Sequence, residues 1–111
     1  MIKYDIPGCL SGMDNALENA LRTVIDPELH INIVDLGLIY GIMVSQKELL
    51  ITVEMTLSSK FCPVGESIVS AVKNCLERLF DQFHVNVELV WEPEWNFESI
   101  TPGGRKELWG D

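Results

Sequence analysis

The chain has 111 residues, enough for one domain with a modest core. Hydrophobic residues make up 47% and charged residues 23%, a globular balance, and 17 acidic against 8 basic side chains leave a net charge of −9. So acidic a chain argues against nucleic acid and anionic membrane as partners, since both bind through basic patches.

No apolar run follows Lys3 and Asp5, so no secretory peptide is expected. The apolar run from Ile31 to Val44 is too short to span a bilayer and contains Asp35. The three cysteines, Cys9, Cys62 and Cys75, include no Cys-x-x-Cys pair. That disfavours a disulfide framework and a structural zinc site, and a reducing cytoplasm is the expected location.

Residues 1–12 read as an N-terminal leader, punctuated by Pro7, Gly8 and Gly12, and residues 13–111 as a single domain. Cys9 falls in the leader and is given no role. Ser11 is the expected cap of a first helix, with Asp14 three positions on. Met13, Leu17, Leu21 and Val24 recur at helical spacing, so this helix is expected from Met13 to Ile25, ending before Pro27. Asp26-Pro27-Glu28-Leu29-His30 is then a stiff acidic turn. It reads either as a plain helix terminator or as a carboxylate pair with a nearby imidazole, able to bind a cation. Asp35 lies inside an apolar stretch and needs a partner there; capping local backbone N–H groups is its expected job. Gly37 is expected to give the following turn unusual backbone angles.

Leu38, Tyr40, Ile42 and Val44 alternate as one strand face. After a Gln46-Lys47 turn, Leu49, Ile51, Val53, Met55 and Leu57 alternate against polar neighbours, which predicts an antiparallel hairpin with one buried face. Thr56 falls on the polar face. The next stretch, Ser58-Ser59-Lys60-Phe61-Cys62-Pro63, gathers hydroxyls and a thiol where strand gives way to helix. Pro is favoured at the first helical position, which makes Cys62 the expected N-cap. Its sulfur then lies near unpaired N–H groups at the positive end of the helix.

The second helix is expected from Pro63 to about Phe83, with Ile68, Val72, Cys75, Leu76 and Leu79 on its core stripe and His84 at its end. Cys75 there is a small buried hydrophobe. Val85, Val87, Leu89 and Trp91 alternate as a third strand. Trp91-Glu92-Pro93-Glu94-Trp95 reads as a stiff flap over the core or as the wall of a pocket. Thr101-Pro102 caps a last short helix through Leu108 and Trp109, stopped by Gly110, with Arg105 placed to reach a carboxylate. The expected fold is a small α+β two-layer sandwich, order α-β-β-α-β plus a short C-terminal helix, with helices on one face of a mixed sheet.

Five pieces, in order and spacing, resemble the SufT/PaaD-like family of metal–sulfur cluster assembly proteins, which includes the eukaryotic cytosolic iron–sulfur targeting adaptor. They are Asp26-Pro27-Glu28, Asp35-Leu36-Gly37-Leu38-Ile39-Tyr40, Met55-Thr56-Leu57-Ser58, Cys62-Pro63 and Trp91-Glu92-Pro93-Glu94-Trp95. The resemblance covers about Leu17 to Leu108. It implies the same α+β sandwich and an auxiliary role in iron–sulfur cluster assembly or iron–sulfur protein maturation. PaaD-type members instead serve a multicomponent aromatic-ring oxygenase. By the resemblance, Cys62 is the reactive-looking cysteine, Ser58 and Ser59 match a hydroxyl pair, Asp26 and Glu28 the acidic turn, and Asp35 a second acidic position.

A cysteine-dependent enzyme is disfavoured. A helix N-terminus contributes roughly 0.3–1 kcal/mol, too little to activate a thiol of pKa near ~8.5, and acidic neighbours push the other way. His30 and His84 are the only histidines to serve as a base. A metal reverses the sign, because it deprotonates the thiol. An iron–sulfur cluster normally takes four thiolates. The expectation is therefore transient ligation of iron or a cluster through Cys62, shared with a second protomer or with an assembly or client apo-protein. The alternative is a pure adaptor that binds partners through its acidic surface and Trp91 and Trp95.

Overall fold

The structure, a computed structural model, describes residues 2–27, 29–57 and 65–109. Chain order is β1 (Lys3–Asp5), a 3-10 turn (Gly8–Leu10), α1 (Met13–Leu21), β2 (Ile39–Ser45), β3 (Leu50–Met55), α2 (Gly65–Leu79) and β4 (His84–Leu89). A second 3-10 turn (Phe97–Ser99) and α3 (Pro102–Trp109) complete it. The sheet runs β1-β2-β3-β4, with β1 parallel to β2, β2 antiparallel to β3 and β3 parallel to β4. This is the expected small α+β mixed sheet, with one strand more than expected.

That strand comes from the leader. Lys3, Tyr4 and Asp5 pair with Gly41, Ile42 and Met43. Three residues carry too little periodicity to announce a strand, and Pro7, which has no N–H to donate, lies two residues past its end. Cys9 is likewise ordered: its thiol donates to Gln46 Oε1 at 2.8 Å.

The core lies between the sheet and the two longer helices. Leu17 and Leu21 of α1 and Ile68, Val72 and Leu76 of α2 pack with Ile42, Ile51, Val53 and Met55. Cys75, on the same stripe, is buried at the α1–α2 seam, where its Sγ lies 3.4 Å from the Ala20 carbonyl. None of the described helices is long and apolar enough to cross a membrane.

Several local expectations fail for identifiable reasons. Gly12, not Ser11, caps α1, in the left-handed region at φ 93° that suits glycine. The helix stops at Leu21 rather than Ile25. Thr23 and Val24 turn back onto Ala20 and Leu21, the Thr23 hydroxyl takes the Ala20 carbonyl at 2.6 Å, and Ile25 bridges to Asn32. In β2 the register shifts between Ile39 and Gly41, whose partners are the neighbours Met55 and Glu54. Tyr40 is thus an extra residue in a bulge, Ile39 joins the core and Tyr40 leaves the face of Ile42 and Val44. Leu49 belongs to the hairpin turn at φ 52° and is exposed. Leu79, in the last turn of α2, is 57% exposed because nothing described beyond Leu76 covers it. His84 opens β4 instead of ending the helix. The expected helical start at Pro63 and the stop at Gly110 lie outside the described residues.

Candidate functional site

β3, α2 and β4 form a parallel crossover unit, so β3 and β4 end at one end of the sheet and the hairpin turn lies at the other. β2 starts at the end where β3 finishes, since Ile39 pairs with Met55. The described candidate residues belong to this end. Cys62, Ser58, Ser59 and Glu28 lie outside the described residues; Asp26, Asp35, Thr56, Trp91 and Trp95 are described.

Asp26 and Thr56 are both 1% exposed and share one backbone frame. Val24 O accepts from Ile33 N–H, Ile33 O from Leu38 N–H, and Leu38 O from Thr56 N–H, at 2.8–3.1 Å. The acidic turn is thereby fastened to the strand end from which the chain runs on toward Cys62. Asp26 Oδ1 accepts from Leu29 N–H at 3.0 Å and its carbonyl from His30 N–H at 2.8 Å. It shapes the turn rather than ending α1, which has stopped five residues earlier. Thr56 was expected on the polar face. It is buried because the Leu38 segment lies alongside it.

Asp35 does not cap the local backbone; Asn32 does, its Oδ1 accepting from Asp35 N–H at 2.8 Å. The Asp35 carboxylate instead collects Arg22 Nη1 at 2.7 Å, Asn32 Nδ2 at 2.8 Å and Thr101 Oγ1 at 3.0 Å. Burial pushes this carboxyl up, but the bonds from Asn32, Arg22 and Thr101, with the Arg22 charge, hold it below its ordinary value. Arg22 is raised in turn, chiefly by its bond to Asp35. Arg22 was not anticipated as a site residue. One signal was available: it is the only Lys or Arg between Lys3 and Lys47. Arg105 reaches the Glu98 carbonyl at 3.1 Å, not a carboxylate.

Thr101 caps α3 as expected, its Oγ1 accepting from Gly104 N–H at 3.1 Å. Through the same hydroxyl it ties α3 to Asp35. Gly37, at φ 77°, lies so close to the Ser99 backbone that a Cβ would collide with it. The tail is therefore pinned at two neighbouring points. Trp91 and Trp95 are half-buried against the core, with Trp95 Nε1–H donating to the Leu36 carbonyl at 2.6 Å. Tyr40 O–H donates to the Pro93 carbonyl at 2.7 Å, and burial raises its phenol. The flap that these contacts hold borders a cleft of about 840 Å³ at the same end of the sheet. Neither tryptophan lines it; Glu92, Pro93, Glu94 and Asn96 do.

Among the described residues no group of three or more His, Cys, Asp or Glu side chains could hold a metal ion. Cys9 lies beside Gln46 at the hairpin end, and Cys75 is enclosed between helices.

The model of the iron–sulfur cluster assembly protein family matches residues 14–89. The Fe–S protein maturation auxiliary factor SufT of Staphylococcus aureus is 46% identical over 78 residues, 70% of this chain and 88% of that one. A Fe–S protein maturation auxiliary factor of Porphyromonas gingivalis is 39% identical over 88 residues, 79% of this chain and 83% of the other. Among solved structures, a domain of unknown function from Bacillus anthracis superposes with a TM-score of 0.79 at 35% identity, covering 85% of this chain and 89% of that one.

Proposed function

Because the chain belongs to the iron–sulfur cluster assembly protein family, we propose that it is an auxiliary factor in the maturation of iron–sulfur proteins, acting in the cytoplasm without catalytic turnover of its own. The observation that carries this reading is the likeness to two maturation auxiliary factors at 39% and 46% identity, across most of both chains. Its partners are then proteins of the iron–sulfur pathway, either assembly proteins or client apo-proteins. The half-exposed Trp91 and Trp95 add contact surface for them.

Iron or a cluster is cargo in this reading, held transiently through Cys62. Four thiolates complete a common cluster, and the chain has three cysteines. Two of these are poorly placed to help, Cys75 sealed between helices and Cys9 at the far end of the sheet. The remaining ligands come from a second protomer or the client, which suits a protein that must also let the cargo go. Of the two histidines, His84 begins β4, a full strand length from the end where β3 finishes, and so is out of reach as a base there, whereas His30 closes the acidic turn at that end.

Anaerobic reconstitution tests the cargo role. Cys62→Ala should retain far less iron and sulfide than the parent chain at unchanged circular dichroism. Equal loading would end it. In a strain lacking the protein, Cys62→Ser should fail to restore client maturation; full rescue would make the chain an adaptor whose thiol is incidental.

A further inference from the structure

The cleft beside the flap carries an inference that does not depend on the role of Cys62. Its floor is apolar, formed by Val34, Ile39 and Val90. Six charged side chains surround that floor: Lys3, Glu18, Arg22, Glu54, Glu92 and Glu94. Arg22 is already engaged by Asp35 at 2.7 Å and Glu18 at 3.4 Å. Among the described residues, no side chain or backbone N–H meets the carboxylates of Glu54, Glu92 or Glu94. Among the described residues that line the cleft, Lys3 is thus the one cation left to offset these three carboxylates.

We propose that this cleft is a docking site for an extended, lysine- or arginine-bearing segment of another protein. Charge complementarity selects a cationic occupant. The layout selects an elongated one. The open carboxylates sit on separate elements, Glu54 on β3 and Glu92 and Glu94 on the flap, and do not converge as a metal or a compact ligand would need. The apolar floor asks for side chains alternating with the cations, which an extended segment supplies on opposite faces. The cleft also reaches Ile2 and Lys3, at the start of β1, the edge strand of the sheet, where an added strand can lie alongside. Glu54 lies four residues before Ser58, so an occupant is brought to the strand that leads to Cys62.

The test uses the full chain, labelled with nitrogen-15, and a short synthetic peptide alternating lysine and valine. Amide shifts should concentrate at Lys3, Gly37, Tyr40 and Asn96, and a peptide alternating glutamate and valine should give none. Removing two rim charges, each contributing about 0.5 kcal/mol, should weaken binding about fivefold in the Glu92→Gln/Glu94→Gln variant. Glu48→Gln/Asp81→Asn, remote from the cleft, should leave affinity within about 1.5-fold. Equal weakening by both variants would mean diffuse attraction and overturn the site. So would absence of shifts at millimolar peptide, spermine binding as tightly as the peptide, or cleft shifts in the free protein that change on dilution, the mark of a second copy. Loss of iron loading in Cys62→Ala would leave all of these readings untouched.

Discussion

Asp35 shows how one side chain can hold distant parts of a small chain together. Its carboxylate takes Arg22 from α1, Asn32 from the preceding turn and Thr101 from the start of α3. The side chain is 19% exposed, and its carboxyl is held below the ordinary value by these bonds. A carboxyl depressed on folding stabilises the native state above its unfolded pKa, near ~3.9, and loses that contribution as pH falls from there through the folded value. Asp35→Asn should therefore cost about 1–3 kcal/mol in urea unfolding at pH 7 and progressively less as pH falls below about 4. A cost that does not change with pH would show that the charge is not what matters. The sequence marked Asp35 as a buried acid needing partners but assigned it the wrong ones. Two of its three donors come from other elements, and sequence spacing carries no record of such meetings.

At the scale of elements, hydrophobic periodicity located α1, β2, β3, α2 and β4, and turn chemistry located α3. Ends and faces were less legible. Leu76 and Leu79 satisfy the same helical stripe, yet Leu76 is fully buried and Leu79 is 57% exposed. Leu76→Ala should cost about 2–4 kcal/mol through lost contacts and a residual cavity, while Leu79→Ala should change stability by less than about 0.5 kcal/mol. Chemical denaturation of the two variants reads the difference directly. The bulge at Tyr40 has the same origin. Alternation alone cannot reveal an inserted residue, because the pattern on either side of it remains regular. Its consequence is functional, since it frees the Tyr40 hydroxyl to hold the flap at Pro93.

For the whole molecule, the ends of the sheet divide the labour. The hairpin end carries Cys9, Gln46, Leu49 and His84. The opposite end gathers the frame of Asp26 and Thr56, the Asp35 hub, the flap and the acidic cleft. The α1–α2 seam encloses Cys75 and belongs to the hydrophobic core. In the native protein Cys9 should alkylate readily, whereas Cys75 should react only through global opening, with a protection factor that tracks ΔG of unfolding. Peptide mapping by mass spectrometry during iodoacetamide labelling measures both. Fast labelling of Cys75 would mean that the helices part locally.

The sequence by itself determined the class of fold, the central core residues of the main elements, the burial of Cys75, the Thr101 cap and the family resemblance. Each of these rests on local chemistry: periodic burial, backbone angles, capping groups and short motifs in order. Only the tertiary structure decided that the leader becomes a strand, that Thr56 is buried and that Arg22 and Thr101 complete Asp35. It alone placed an acidic cleft under the flap. Those outcomes depend on contacts between residues far apart in the chain, whose free energy appears only once the core has fixed which elements meet.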